Sequence, residues 1–283
     1  MLVFMFSQLA SVTHAQQASQ AVSLDDVFYG SFPSSKMDIR LPAKRNIHTP
    51  FAIIIHGGAW TLGDKGWGKR TQDTLTAHGM ASVNIDYRYA DNGSVHYQEL
   101  LADIDSAVAY CIRHAAEWST RRGSFIIIGE SAGAHLALMY GFANKGKIRA
   151  IISQCAPTSF NDEALLQYYQ QKDPSLLQAL AKMTGAIWQP GKPIPAQYAG
   201  ASPVSHVAKI PVLAFHGTAD PVVPYSQALA LEQAMKKKKF PVRLVPVPGA
   251  GHDLGLNTPE GRASIYAEMI RWIRQYTKLQ MIN

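Results

Sequence analysis

Short, mostly apolar runs alternate with helical stretches along most of the chain. Such runs are expected of strands that are buried on both faces of a sheet. Between them, residues 100–116 carry apolar side chains at a helical period, and residues 265–276 close the chain as an amphipathic helix. This alternation predicts an α/β fold with a mostly parallel central sheet covered by helices. The predicted strands are 51–55, 81–85, 125–128, 150–152, 212–215 and 242–247.

One segment, residues 157–206, breaks this alternation. It contains no clear strand, and prolines interrupt it repeatedly. Helices and loops inserted between two strands often form a lid or a pocket wall. We therefore expect a helical and loop insertion that either walls a site or is a surface excursion. Its aromatic residues Tyr168, Tyr169 and Trp188 are expected to form a small core of its own rather than an aromatic-accepting pocket.

Composition and charge fit one folded domain. Of 283 residues, 47% are hydrophobic and 17% are charged, which is ample for a buried core. We expect residues 21–283 to form that domain, and no apolar run approaches the ~18 residues that a membrane span needs. The net charge of +7 includes the run 236–239, which we interpret as the solvated end of a helix. No aromatic residues interleave with it, so nucleic acid is not an expected partner.

The first 20 residues have the form of an export signal and are set apart from the domain. A short apolar run, residues 2–6, precedes Ala15, and a polar stretch follows. We therefore expect cleavage after Ala15 and a periplasmic or secreted protein, although no Lys or Arg precedes the apolar run. The alternative is that these first residues are only a tail and that the protein is cytoplasmic. Cys111 and Cys155 match no metal motif and are expected to be buried small side chains, with their pairing left open.

The strongest chemical signal is Gly-Glu-Ser-Ala-Gly at 129–133. It follows the predicted strand 125–128 and precedes a helical run at 134–142. A sharp turn from strand to helix lifts Ser131 above the sheet, and glycines clear its neighbours there. The helix that begins at Ala132 directs its positive amino-terminal end at the reacting centre. Ser131 is therefore the predicted nucleophile.

Two further residues complete a predicted catalytic triad. A serine hydroxyl needs a general base that a carboxylate holds in place, and after a serine on such a turn the acid and the histidine follow in that order. Among 10 histidines, His252 is chosen because its small-residue loop follows the strand 242–247, at the carboxyl edge of the sheet. Asp220, on the loop after 212–215, is the predicted acid. Asp253, which adjoins His252, is the other candidate for the acid. The alternative role of Asp220 is that of a turn residue whose carboxylate bonds its own backbone.

Three other histidines are assigned structural roles by their positions. His56 comes directly before a glycine loop and is expected to order its backbone. His135 lies inside the helix after the predicted nucleophile, and His216 lies at the end of a strand. Neither position is expected to supply the general base.

His-Gly-Gly-Ala-Trp at 56–60 follows the strand 51–55 and has the character of an oxyanion loop. Attack on an ester builds negative charge on the carbonyl oxygen, so N–H donors must already point to it. We assign the backbone N–H groups of Gly58, Ala59 and Ala132 to this role.

Together these segments resemble a known family. They look like the carboxylesterase/lipase group of α/β-hydrolases, and within it the acetylxylan and feruloyl esterase-like (BD-FAE-like) branch. The resemblance covers residue 51 to the carboxyl end and is weakest across 157–203. It implies the α/β-hydrolase fold, a Ser-Asp-His triad and no metal or organic cofactor. It is carried by the motifs at 56–60, Asp-Lys at 64–65, Asp-Tyr-Arg at 86–88, Gly-Glu-Ser-Ala-Gly-Ala-His-Leu-Ala at 129–137, His-Gly-Thr-Ala-Asp at 216–220 and Gly-His at 251–252.

The chain departs from that family's pattern in its glycine loop. Ala59 stands where a third glycine is common, which keeps the backbone donor and narrows the space beside the scissile carbonyl. The aromatic residue after the glycines, Trp60, also occurs in arylformamidases that resemble this branch. A formamide therefore remains an alternative substrate.

The leading hypothesis is a serine hydrolase that cleaves carboxylic esters through an acyl-enzyme on Ser131. The expected substrates are acetyl- or feruloyl-type esters of a carbohydrate or a small molecule. An arylformamidase-like amide hydrolase is the first alternative. A prolyl oligopeptidase-like peptidase and a non-catalytic binding module are the others, and both are disfavoured: only about fifty residues precede 51, and every expected triad position is filled. The oligomeric state is not predicted.

Overall fold

The computed structural model describes residues 20–277. The predicted export signal falls on residues that lie outside this range. Within the range, eight strands form one sheet in the order β1-β2-β4-β3-β5-β6-β7-β8. The strands are β1 (Val22–Phe28), β2 (Lys36–Leu41), β3 (Phe51–Ile55), β4 (Ala81–Ile85), β5 (Phe125–Glu130), β6 (Ile148–Gln154), β7 (Val212–Gly217) and β8 (Val242–Val247).

The sheet is parallel from β4 to β8, and β1 and β2 add an antiparallel edge. The predicted α/β fold with a mostly parallel sheet is confirmed. All carboxyl ends of the parallel strands meet at one edge, where Ile55 of β3 lies opposite Gly129 of β5. That edge therefore brings together the loops that follow β3, β5, β7 and β8.

Helices cover both faces of the sheet. Apolar side chains of α1 and α8 pack on one face, and those of α2, α3 and α7 pack on the other. The most buried helix is α3, which starts at Ala132 and packs against β5 and β6. The helices are α1 (Lys69–Ala77), α2 (Tyr97–His114), α3 (Ala132–Ala143), α4 (Glu163–Lys172), α5 (Pro174–Thr184), α6 (Ala196–Gly200), α7 (Ser226–Lys237) and α8 (Pro259–Thr277).

The two edge strands were not predicted. Strand β1 is largely exposed and carries three acidic or polar residues in its centre, so no apolar run marks it. Strand β2 alternates buried and half-buried positions, a period of two that is present in its sequence, Lys-Met-Asp-Ile-Arg-Leu. Its inward residues Met37 and Ile39 are fully buried. The six predicted strands are all present, with ends that move by no more than two residues.

The last helix begins earlier than predicted. Pro259 starts α8, six residues before the amphipathic stripe that begins at Ile265. Proline suits the first turn of a helix because its missing N–H has no partner there in any case. The side chain of Thr258 accepts a hydrogen bond from the N–H of Gly261 (3.1 Å) and caps this polar first turn.

The segment 157–206 consists of helices and loops, as predicted. Helices α4, α5 and α6 lie within it, followed by a short 3-10 turn at Pro203–Ser205. The lysine run 236–239 is exposed at the carboxyl end of α7. Cys111 and Cys155 are both buried and unpaired thiols. Across residues 20–277, no helix is both long enough and apolar enough to cross a bilayer.

Candidate active site

Ser131 lies on a strained turn between β5 and α3. Its backbone angles are φ +53° and ψ −119°. At such a positive φ, any residue that carries a Cβ atom is strained. The flanking glycines make the turn possible. A Cβ on Gly129 would lie 2.2 Å from the carbonyl oxygen of Gly133, and one on Gly133 would lie 2.3 Å from that of His56. The turn therefore holds the Ser131 side chain above the carboxyl edge of the sheet.

His252 and Asp220 are hydrogen bonded across this edge. His252 Nδ1 lies 2.7 Å from Asp220 Oδ2, while Asp220 Oδ1 accepts from the N–H groups of Val222 (2.8 Å) and Val223 (2.9 Å). Burial raises the pKa of the Asp220 carboxyl, but hydrogen bonds from His216, His252 and the Val223 N–H outweigh it and hold that pKa below its usual value. Asp220 is therefore ionised and can orient the imidazole of His252.

Asp253, which follows His252 in the sequence, forms its hydrogen bonds with other residues. Its Oδ1 accepts from the N–H of Gly255 (3.1 Å), and its Oδ2 accepts from Asn257 Nδ2 (2.7 Å). The side chain is exposed and stabilises its own turn. The structure thus brings Asp220, and not Asp253, to His252.

Two buried side chains, those of His216 and Cys155, lie next to the Asp220 carboxyl. His216 Nε2 lies 3.4 Å from Asp220 Oδ2 and 2.8 Å from the carbonyl oxygen of Val223. Cys155, His216 and Asp220 each place a possible metal ligand within 4.8 Å of the others. Burial raises the pKa of the Cys155 thiol, and the Asp220 oxygens already accept hydrogen bonds. His216 and Cys155 are therefore better explained as a buried support for Asp220 than as ligands of a metal ion.

The glycine loop after β3 has a left-handed backbone at three successive residues. The φ angles are +106° at Gly58, +47° at Ala59 and +61° at Trp60. A Cβ on Gly58 would lie 2.0 Å from the carbonyl oxygen of Leu62, so only glycine fits there. Within residues 20–277, no acceptor takes a hydrogen bond from the N–H groups assigned to the oxyanion, those of Gly58, Ala59 and Ala132.

A buried hydrogen-bond chain anchors this loop to α3 and to the insertion. Trp60 Nε1 donates to His135 Nδ1 (3.0 Å), and His135 Nε2 lies 2.8 Å from the carbonyl oxygen of Ala201. Burial lowers the pKa of His135 to about 4, so the ring is neutral and carries its proton on Nε2. His135, given a structural role from its position, thus connects the glycine loop with the end of α6.

The other side of the loop is held by the Asp-Tyr-Arg motif after β4. The ring of Tyr87 stacks on that of His56 with 4.3 Å between centroids, and its hydroxyl donates to the carbonyl oxygen of His56 (2.9 Å). His56 Nδ1 lies 2.6 Å from the carbonyl oxygen of Gly57, so His56 orders the loop backbone. Arg88 donates from Nη2 to Asp103 Oδ1 (2.8 Å), which ties the motif to α2.

Ser131 and His252 line one pocket of about 230 Å³ together with Gly58, Ala59 and Ala132. Apolar side chains form the remaining walls. The insertion contributes to them, so it is a pocket wall and not a surface excursion. The apolar walls comprise Trp60, Leu62, Trp67, Pro157, Tyr169, Leu176, Val222 and Val223.

The three aromatic residues of the insertion have different surroundings. Tyr169 is buried and lines the pocket, contrary to the expectation of a separate core. Tyr168 is half-buried, and its hydroxyl donates to the carbonyl oxygen of Pro221 (2.6 Å). Trp188 is buried and packs into the main apolar core.

Sequence reasoning also missed some of the residues that line the pocket. Glu130, inside the serine motif, and Leu62 and Trp67, just after the glycine loop, all line the pocket. Position beside the two recognised motifs was the signal that could have identified them. Leu176 of α5 carried no such signal, because only the packing of the insertion brings it to the pocket.

Comparison with known proteins places the chain among esterase-like sequences. The dienelactone hydrolase family matches residues 192–280. Esterase LipC of Mycobacterium tuberculosis is 27% identical over 248 residues, which cover 81% of this chain and 59% of LipC. The probable isoprenylcysteine alpha-carbonyl methylesterase ICMEL1 of Arabidopsis thaliana is 31% identical over 111 residues, 39% of this chain and 23% of that protein. The chain thus spans less than two thirds of the length of these curated relatives.

Solved structures share the fold. A truncated carbohydrate esterase from gut microbiota superposes with a TM-score of 0.70 at 20% identity and covers 93% of this chain and 98% of its own. Esterase Est2 of Thermogutta terrifontis superposes with a TM-score of 0.66 at 22% identity, covering 92% and 91%. The BD-FAE family matches residues 37–235, more than half of the chain. The chain therefore belongs to the BD-FAE family of α/β-hydrolases.

Proposed function

We propose that the protein hydrolyses carboxylic esters through an acyl-enzyme on Ser131. The observation that carries this proposal is the 2.7 Å hydrogen bond between His252 and Asp220, formed at the edge of the pocket that Ser131 lines. A nucleophile on a strained turn, a base that lines the same pocket and an ionised acid hydrogen bonded to the base are the parts that acyl transfer needs. Family membership and the resemblance to LipC support the same reaction.

In this mechanism His252 takes the proton from the Ser131 hydroxyl as that oxygen attacks the ester carbonyl. Asp220 holds Nδ1 of His252, which leaves Nε2 to take the proton of the serine, and it stabilises the imidazolium that forms. The oxyanion then accepts hydrogen bonds from the N–H groups of Gly58, Ala59 and Ala132, which have no other acceptor among the described residues. His252 returns its proton to the leaving alcohol, and water repeats the cycle on the acyl-enzyme.

Pocket size favours a short acyl group. A volume of about 230 Å³ lies below the ~300–1,000 Å³ typical of sites for drug-sized ligands. Its apolar walls suit an acetyl or similarly small chain. The proposed substrates are therefore small acyl esters, of a carbohydrate or of a small molecule.

The test is hydrolysis of p-nitrophenyl esters of increasing chain length, with acetylated xylan, feruloylated xylan and N-formylkynurenine in parallel. Ser131→Ala is the control, and a fluorophosphonate probe reports a reactive serine independently of substrate. We expect Ser131-dependent ester cleavage that is fastest for acetyl and persists in EDTA. Fast cleavage of N-formylkynurenine with slow ester cleavage would assign an arylformamidase instead. Absence of both turnover and probe labelling in folded protein would support a binding module.

A further inference from the structure

Helix α4 of the insertion is hydrogen bonded to the loop that carries Asp220. The hydroxyl of Tyr168 donates to the carbonyl oxygen of Pro221, with 2.6 Å between the two oxygens. Within residues 20–277, no other group of the insertion forms a hydrogen bond with residues 220–223. This hydrogen bond is therefore the one that joins the insertion to the acid loop in the described part of the chain.

The carbonyl of Pro221 belongs to the same peptide group as the N–H of Val222. That N–H donates to Asp220 Oδ1 (2.8 Å). Because a trans peptide group is planar, its C=O and N–H point in opposite directions, and a donor that holds the oxygen also fixes the direction of the N–H. The Tyr168 hydroxyl and the Asp220 carboxylate are thus bound to opposite ends of one rigid group. A hydrogen bond to the carbonyl oxygen also polarises the peptide and strengthens the bond that its N–H donates.

The Asp220 carboxylate continues this series of hydrogen bonds to the base. Its Oδ1 accepts from the N–H of Val222, and its Oδ2 lies 2.7 Å from His252 Nδ1. The two oxygens belong to one planar carboxylate, so a change in the direction of the donor at Oδ1 also shifts Oδ2 against the imidazole. The orientation of the Pro221–Val222 peptide therefore affects how well Asp220 holds His252.

The two ends of the acid loop are supported differently. Val223 is buried, its N–H donates to Asp220 Oδ1 (2.9 Å), and its carbonyl oxygen lies 2.8 Å from Nε2 of the buried His216. Pro221, by contrast, is exposed and has no N–H of its own. The Val223 end is therefore held by the core of the domain, whereas the Pro221 end depends on Tyr168.

We propose that Tyr168 is a positioning residue for the catalytic acid: its hydroxyl holds the Pro221–Val222 peptide, which in turn holds the Asp220 carboxylate against His252. The insertion then has a second role besides walling the pocket, because it sets the alignment of the acid. Tyr168 does not line the pocket and acts only through Asp220. The inference rests on the proposed esterase function and adds to it a residue that acts through the acid.

The experiment compares two phenylalanine variants that each remove one hydroxyl. Tyr168→Phe removes the donor to Pro221, and Tyr97→Phe removes the donor from α2 to the carbonyl oxygen of Gly200 in α6 (3.2 Å). Both hydrogen bonds join the insertion to the rest of the domain, and both tyrosines are half-buried. Only the first bond reaches the acid loop, so Tyr97→Phe is the matched control.

We expect Tyr168→Phe to lower kcat on p-nitrophenyl acetate about three- to tenfold and to leave KM within about twofold of wild type. Tyr97→Phe should keep both constants within about twofold. Because Pro221 is exposed, water can hydrate its carbonyl oxygen in the variant, and the melting temperature should stay within about 3 °C of wild type. A lower melting temperature without the loss in kcat would show that the hydroxyl is purely structural.

A double-mutant cycle tests whether Tyr168 acts through Asp220. The rate at which a fluorophosphonate probe labels Ser131 is measured for wild type, Tyr168→Phe, Asp220→Asn and the double variant. Labelling requires an activated serine and no ester substrate. We expect Tyr168→Phe to slow labelling about three- to tenfold in wild type and less than about twofold in the Asp220→Asn background. An equal factor in both backgrounds would mean that Tyr168 acts independently of the acid.

The outcomes separate this role from the proposed function. Absence of both Ser131-dependent turnover and labelling in folded wild type would contradict the esterase function, and the positioning role with it. An active wild type with unchanged kcat and labelling rate in Tyr168→Phe would overturn the positioning role alone. Equal losses in Tyr168→Phe and Tyr97→Phe would do the same, because any hydrogen bond between the insertion and the rest of the domain would then have this effect.

Discussion

His252 Nδ1 lies 2.7 Å from Asp220 Oδ2, although 32 residues separate them in the chain. The loops after β7 and β8 bring them together, because adjacent parallel strands end at the same edge of the sheet. Asp253 is next to His252 in sequence, and yet its carboxylate accepts hydrogen bonds from Gly255 and Asn257. Strand order, and not proximity in sequence, thus selects the carboxylate that is hydrogen bonded to His252.

Asp220→Asn should lower kcat on p-nitrophenyl acetate about 10,000-fold, since an amide at this position favours the wrong imidazole tautomer. Asp253→Asn, the matched change on the neighbouring turn, should stay within about threefold of wild type. The measurement is steady-state kinetics at pH 7.5 on variants with native circular dichroism. The reverse order of effects would show that Asp220 is not the acid.

Trp60→Phe should destabilise the fold by about 1–3 kcal/mol, because it removes the donor to the buried His135 Nδ1 and leaves that acceptor without a partner. Trp67→Phe makes the same change on a half-exposed ring and should alter stability by less than about 0.5 kcal/mol. Urea unfolding gives both values. Equal effects would mean that the indole hydrogen bond contributes nothing beyond ring packing.

Gly133→Ala should lower the free energy of unfolding by more than about 3 kcal/mol, or prevent folding. The added Cβ would lie 2.3 Å from backbone carbonyl oxygens of Ile55 and His56, and a backbone contact cannot be relieved by a rotamer change. Gly146→Ala is the control, because no atom lies within 4 Å of the added methyl. Expression, melting temperature and urea unfolding compare the two. A stable Gly133→Ala protein would contradict the packed turn.

Stability should fall as the pH is lowered from about 6.5 to about 4. Burial lowers the pKa of both His56 and His135 to about 4, while an unfolded histidine titrates near 6.5. The unfolded state therefore binds more protons in this window, so stability rises with pH by up to about 3 kcal/mol per histidine and is fully present above 6.5. Half-buried Glu130, whose pKa is raised, opposes this trend only in part.

Urea unfolding at pH 4.5, 5.5, 6.5 and 7.5 checks this dependence. His135→Gln should reduce the slope of stability against pH by about half, because His56 still titrates in the same window. An unchanged slope in His135→Gln would show that His135 is not held neutral.

Local sequence was sufficient to predict the strands that form the centre of the sheet and the turn at Ser131. Apolar runs such as 51–55 are buried on both faces, so their composition alone marks them. The glycines at 129 and 133 are required by backbone contacts within a few residues and on the adjacent strand. Strand β1 escaped prediction because it is exposed and its pairing with β2, not its own composition, makes it a strand.

The sequence by itself determined the fold class and the turn at Ser131, and it predicted the order of a triad, because these follow from side-chain period, local sterics and the geometry of parallel strands. Only the tertiary structure decided the contacts that shape the site. Trp60 and His135 are 75 residues apart, and Tyr169 reaches the pocket only because the insertion folds back over the sheet edge. Such contacts depend on how separate elements pack together, and no pattern within one element specifies its distant neighbour.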